Sequence, residues 1–220
     1  MERTSNIRPL DNCRRMIDSG RTTAIQTERL SNITSMILEG IVTSLNREGE
    51  VNVAPMGPLV DESLATLRLR PFKTSQTYRN LKQHPCGVFH VVDDVLLLAR
   101  AAVGRLESTP PTFSAEMIEG VVLKSACRWY EFQIETFDDS LDRTNLLARV
   151  VHTGRLRDFF GFNRAKHAVL EAAILATRIH LLPRNEVQQQ LAALKTPLEK
   201  TAGPQEREAF ELLERYVNES

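Results

Sequence analysis

Cysteine is scarce in this sequence: Cys13, Cys86 and Cys127 are widely spaced and odd in number. Without a C-x-x-C pair there is no metal knuckle or redox dithiol, and three free thiols in a reducing compartment are expected. Long apolar runs are missing as well. No stretch approaches the roughly eighteen apolar residues of a membrane helix, and the N-terminus lacks the apolar core of a signal peptide. A cytoplasmic protein with no membrane partner is the expectation. Excess charge is absent, Lys plus Arg and Asp plus Glu both counting 28, so no basic field condenses on nucleic acid. Nor does the chain carry G-x-x-x-x-G-K-[ST], G-x-G-x-x-G or G-x-S-x-G, which removes P-loop hydrolysis, Rossmann-type dinucleotide binding and the serine-hydrolase elbow. The five histidines, His84, His90, His152, His167 and His180, have no H-E-x-x-H spacing, and no metal site is expected.

What is present is ample apolar material, 42% of 220 residues, enough for a sizeable core. Residues 1–34 are polar and aperiodic and read as a flexible extension, with Met36 an alternative start. Residues 35–160 read as a β domain. "MILEGIVTSL" and "VNVAPMGPLV", joined by Asn46-Arg47-Glu48-Gly49, form a hairpin. Pro55 and Pro58 place its second strand at an edge or make its backbone irregular, and Gly57 between them fits either a bulge or close approach of a ligand. Further strands are expected over residues 65–72, 87–92, 121–134 and 145–156, six in all. Short helices are expected at 75–82 and from the capping Asp93-Asp94 to 103, and an exposed loop at 104–115. Residues 161–220 turn helical. One helix runs from Asn163 to Pro183, another starts at Asn185 with Gln188 completing a capping box, and a third opens at Pro204.

The segment "LRPFKTSQTYRNL", residues 69–81, is dense in donors at a strand-to-helix junction. Free N–H groups of the first helical turn, the hydroxyls of Thr74, Ser75 and Thr77, and the cations Arg70 and Lys73 would suit a phosphate. Ordinary N-capping by Thr74 or Ser75 explains the hydroxyls equally and needs no ligand. "GFNRAKH" places Arg164 and Lys166 at a helix start, against the dipole. An ion pair between subunits is the preferred reading there, a second ligand contact the other.

In order, "MILEGIVTSLNREGEVNVAPMGP", "LRPFKTSQTYRNL" and "GVFHVVDDVLLLARAAVG" resemble the family of domain of unknown function number four hundred and forty-seven, in the FMN-binding split-barrel group that includes flavin reductases and pyridoxamine phosphate oxidase-like proteins. The resemblance spans about residues 36–178. It implies an α+β fold: a six-stranded split β-barrel of Greek-key order with a helical C-terminal appendage, forming a homodimer with FMN near the interface. It assigns the FMN phosphate to Ser75, Thr77, Asn80 and Leu81, with Thr74 and Arg70 or Lys73 in support, and sets Asn52, Ala54, Met56 and Gly57 beside the flavin ring. It further implies an oxidoreductase with NAD(P)H as a candidate reductant. An FMN carrier without turnover, or a barrel holding a deazaflavin, are the alternatives.

Overall fold

The computed structural model describes residues 36–219; the expected extension over 1–34 lies outside the described residues. The first hairpin is there, and each of its strands is interrupted once. β1 (Met36–Ile37) and β2 (Gly40–Leu45) face β4 (Leu59–Val60) and β3 (Val51–Met56) in one unbroken register, with Met36 opposite Val60, Gly40 opposite Met56 and Leu45 opposite Val51. No residue is inserted at the break, so it is not a bulge. Its cause is Pro58: Leu38 donates to the Pro58 carbonyl at 3.1 Å, and proline has no N–H to return the second bond of that pair.

Around this hairpin the sheet nearly closes on itself. β2 pairs with β6 (Cys86–Val91), β6 with β9 (Arg128–Asp138), β9 with β10 (Asn145–Arg155) and β10 with β5 (Thr66–Leu69). β5 then meets β4 through Leu59 opposite Arg68, which returns the ladder to the hairpin. Joining the interrupted strands gives the expected six-stranded split barrel. Because β6 lies beside β2 and not beside β5, the chain crosses the barrel end between them through α1 (Gln76–Gln83), the Greek-key order. β1 and β3 are the two open edges.

Two local expectations change. The strand over 121–134 is broken by a turn, Ala126 N–H bonding to Leu123 O at 3.2 Å. This leaves β8 (Val121–Leu123) to pair with β7 (Thr112–Ser114), inside what read as an exposed loop. Glu131 explains why that loop is ordered. Its carboxylate is fully buried and accepts from Glu116 N at 2.8 Å, Met117 N at 2.7 Å and Trp129 Nε1 at 3.2 Å. Among the cysteines, Cys127 is a buried free thiol, whereas Cys86 is disulfide-bonded; the expected three free thiols are thereby corrected.

The core has two layers. Val42, Leu67, Leu69, Leu81, Phe89, Phe132 and Leu146 fill the barrel. On its outer side Ile41 packs with α2 (Val95–Ala102) and with α3 (Arg164–Ala176), α4 (Arg184–Thr201) and α5 (Pro204–Glu219). The alanines of α3, among them Ala165, Ala168, Ala172 and Ala173, are buried and let the neighbouring helices approach closely. Helix α4 departs from its expected start. Pro183 is the N-cap and its ring has no polar atom with which to make a side-chain bond; with the helix already begun at Arg184, the capping box from Asn185 and Gln188 does not form. Pro197 sits within α4, and its carbonyl accepts from Thr201 Oγ1 at 2.8 Å.

Candidate functional site

The segment 69–81 is pinned at both ends. Past β5 it runs against the β9–β10 loop: Phe72 bridges Arg143, Lys73 N–H reaches Asp142 O at 2.9 Å, and Thr144 gives both N–H (3.0 Å) and Oγ1 (2.7 Å) to Pro71 O. Ser75 then caps α1, its Oγ accepting from Tyr78 N at 3.2 Å. The capping explanation of Ser75 is therefore realised, and its hydroxyl proton and the adjacent first-turn N–H groups remain at a half-buried position.

Thr77 and Asn80 face inward, 2% and 1% exposed. Thr77 Oγ1 accepts from Asn52 Nδ2 at 3.1 Å, and Asn80 Nδ2 donates to Ser44 Oγ at 3.1 Å while its Oδ1 accepts from Gln76 Nε2 at 2.6 Å. These residues fasten α1 onto β2 and β3, with Leu81 wholly buried beside them. The groups of the predicted phosphate set left facing outward are Arg70, Lys73, Thr74 and Ser75. Arg70 stands out among them: its Nε is buried and has no hydrogen-bond partner. A buried donor left unpaired is unfavourable by about 1–3 kcal/mol, more when charged.

Sequence reading missed what surrounds Arg70. Arg143 arrives from the β9–β10 loop, its guanidinium 5.6 Å from the centre of the Phe72 ring. Partial burial lowers its pKa first, and then the positive charges of Arg70 and of Arg178, from the turn after α3. Among the described residues none of the three arginines has an ion-pair partner. No linear signal links three positions so far apart in the chain.

Along the other predicted wall, the hairpin register decides which groups point outward. Leu38 N–H to Pro58 O and Asn46 N–H to Glu50 O are bonds of the same ladder, so by alternation Asn52, Ala54 and Met56 turn their main-chain groups toward β2. The open edge of β3 is lined instead by the main chain of Val53, Pro55 and Gly57, and Pro55 points its donor-less nitrogen where no strand needs one. Met56 packs on the barrel core. The close approach at Gly57 is made by the chain itself: a Cβ there would lie 2.5 Å from Ile37 Cγ2 and 2.9 Å from the Glu39 carboxylate. Burial, followed by the charge of Glu171, raises the pKa of that carboxylate.

Two family models match the chain. The N-terminal domain of a protein of unknown function (DUF447) covers residues 38–157, and a second DUF447 stretch covers 163–215. The chain belongs to the DUF447 family. An FMN-bound DUF447 protein from Methanosarcina mazei shares the fold at a TM-score of 0.70 and 26% identity, over 84% of this chain and 96% of that one. Weaker likenesses are the styrene monooxygenase flavin reductase of Pseudomonas putida S12 (TM-score 0.41, 18% identity, 53% of this chain and 78% of that one) and a 2-nitrobenzoate 2-nitroreductase of Pseudomonas fluorescens (0.47, 16%, 61% and 73%). No curated protein matches the chain.

In this DUF447 chain the two matched stretches meet at a polar junction. Asp93, expected to cap α2, is instead gripped by Arg157 Nη1 at 2.8 Å and by Phe160 N at 3.0 Å. The Arg157 hydrogen bond is the main cause that holds its pKa down at about 2. Asp94 is the cap, accepting from Leu97 N at 2.9 Å. Asn163 caps α3, and Lys166 pairs with Glu206 at 2.8 Å and donates to Asp93 O at 2.6 Å. The ion pair expected between subunits at "GFNRAKH" is instead made within the chain, by Lys166 and Glu206. This junction spends its polar groups on itself. His90 is likewise spoken for, Nδ1–H donating to Ile41 O and Nε2 accepting from Leu123 N, both at 3.1 Å. Among the described residues no group of three metal-ligating side chains comes together, and no helix is long and apolar enough to cross a membrane.

Proposed function

We propose that this DUF447 chain binds FMN and works as a flavin-dependent oxidoreductase on a small molecule, with NAD(P)H as the reductant. The observation that carries the reading is the buried, unpartnered Nε of Arg70 at the head of a hydroxyl-bearing helix start. A phosphate ester would satisfy that donor and take further bonds from Lys73, Thr74 and Ser75. The likeness to the FMN-bound Methanosarcina mazei protein supports the same ligand. The flavin ring would then lie along the open edge of β3, where Val53 and Gly57 offer main-chain groups. When bound, FMN supplies hydride and electron transfer, while the chain holds the phosphate, orients the ring and limits water.

The reading includes a homodimer in the cytoplasm. Phe160 and Phe162 are 79% and 96% exposed and lie in one short segment with Phe159, and an exposed aromatic group of this kind suits a subunit contact. Titration of purified protein into FMN should quench the flavin fluorescence and leave yellow protein after gel filtration. Colourless protein that neither retains nor quenches FMN refutes the proposal. With flavin bound, anaerobic NAD(P)H should bleach its visible absorbance; binding without bleaching by either nucleotide would make the chain a carrier.

A further inference from the structure

We propose that the β9–β10 loop, residues 139–144, holds the flavin-binding segment in shape without touching the ligand, and that Thr144 and Asp139 are its positioning residues. The proposal rests on the FMN reading and deepens it. The loop grips the segment at two separated points. Upstream, Thr144 gives Pro71 O both its N–H at 3.0 Å and its Oγ1 at 2.7 Å, and Lys73 N–H reaches Asp142 O at 2.9 Å. Downstream, Asp139 Oδ2 accepts from Tyr78 OH at 2.8 Å and pairs with Lys82 Nζ at 2.9 Å, while the Tyr78 ring packs on Phe137 with centroids 5.7 Å apart.

Between these grips the chain makes a short bow that carries Lys73, Thr74 and Ser75, with Ser75 N–H closing a turn on Phe72 O at 2.9 Å. Arg70 stands just before the first grip, next to Pro71, whose ring fixes φ. One loop therefore sets the span of the bow and the spacing of its outward donors. Donors placed in advance lose less freedom when a ligand arrives, and that saving appears as affinity. Helix α1 does not depend on the loop for its fold: Ser75 caps it, and Thr77 and Asn80 fasten its inner face to Asn52 and Ser44. The Thr144 hydroxyl separates the two roles most clearly. Its residue is 1% exposed, and Pro71 O already receives the Thr144 N–H, so the second bond directs that carbonyl rather than supplying a missing partner.

The test compares the full chain with Thr144→Val, Thr144→Ser and Tyr78→Phe in titrations with FMN and with riboflavin, which lacks the phosphate. Thr144→Val and Tyr78→Phe should each weaken FMN by about fivefold, the loss of one hydrogen bond, and leave riboflavin unchanged within about twofold. Thr144→Ser keeps the hydroxyl and should bind FMN as the wild type does. Equal losses for the two flavins, which a merely structural role would give, or no loss for either, overturn the proposal. A wild type that binds FMN and riboflavin equally well also overturns it, because no phosphate grip would then exist to be positioned, and the FMN reading would stand. If wild type binds neither flavin, the FMN reading fails and the positioning role falls with it. If circular dichroism shows Thr144→Val to be unfolded, Tyr78→Phe, which keeps the ring on Phe137, decides by the same comparison.

Discussion

His90 illustrates how burial sets the behaviour of a single residue. Desolvation lowers its pKa to about 4, against a small opposing contribution from its bond to Ile41 O. The unfolded chain takes up a proton near the ordinary 6.5 while the folded chain refuses one until about 4. Stability should therefore fall as pH drops from 6.5 towards 4, by on the order of 3 kcal/mol, and then level off. Asp93 acts in a lower window, its pKa lowered as well but by the Arg157 hydrogen bond to its charged form rather than by burial. Its depressed pKa contributes stability above about 3.8 that is lost as pH falls through about 2. Urea unfolding between pH 7 and pH 4 checks the first expectation. In His90→Gln the slope between 6.5 and 4 should vanish, whatever happens to overall stability; a slope that persists would assign it to other groups.

At the scale of the element, α1 separates structural from ligand-facing donors within a few residues. Ser75→Ala removes the N-cap and should cost about 1 kcal/mol, and it should also weaken FMN more than riboflavin. Thr77→Ala removes the shorter of two bonds from Asn52 Nδ2, leaving the one to Ser44 Oγ at 3.4 Å, and should cost on the order of 1 kcal/mol, yet change both flavin affinities by the same factor. Thermal unfolding together with the two titrations distinguishes the positions. The helix was legible in the sequence because its cap and its apolar period are local. Which hydroxyl turns inward was not, since that depends on Ser44 and Asn52 reaching it from the hairpin. The same holds at α4, where Asn185 and Gln188 have capping-box spacing and Pro183 starts the helix before they can act.

For the whole molecule, the exposed segment Phe159–Phe162 carries the expectation of a dimer. Light scattering at micromolar concentration should give about twice the 24.9 kDa chain mass, and Phe160→Glu together with Phe162→Glu should return it to a monomer. A wild-type monomer would remove the homodimer from the reading. The barrel and the appendage are joined by Lys166 Nζ donating to Asp93 O and by the Arg100–Glu208 ion pair. Removing the first with Lys166→Ala should loosen the appendage, read as faster amide exchange in α3 and α5.

By itself the sequence determined the hairpin, the six barrel strands, the short helix capped by Ser75 and the helical tail. Each is written in turn residues, alternation or helical period, and these act over a few neighbouring residues. The closing of the ladder through Leu59 and Arg68, the inward turn of Thr77 and Asn80, and the placing of Arg143 opposite Phe72, two residues from Arg70, were decided only by the tertiary structure. The physical reason is that a side chain's partner is set by packing between distant segments. Local propensity can build the element that carries an arginine, but not the neighbour that leaves its charge unanswered.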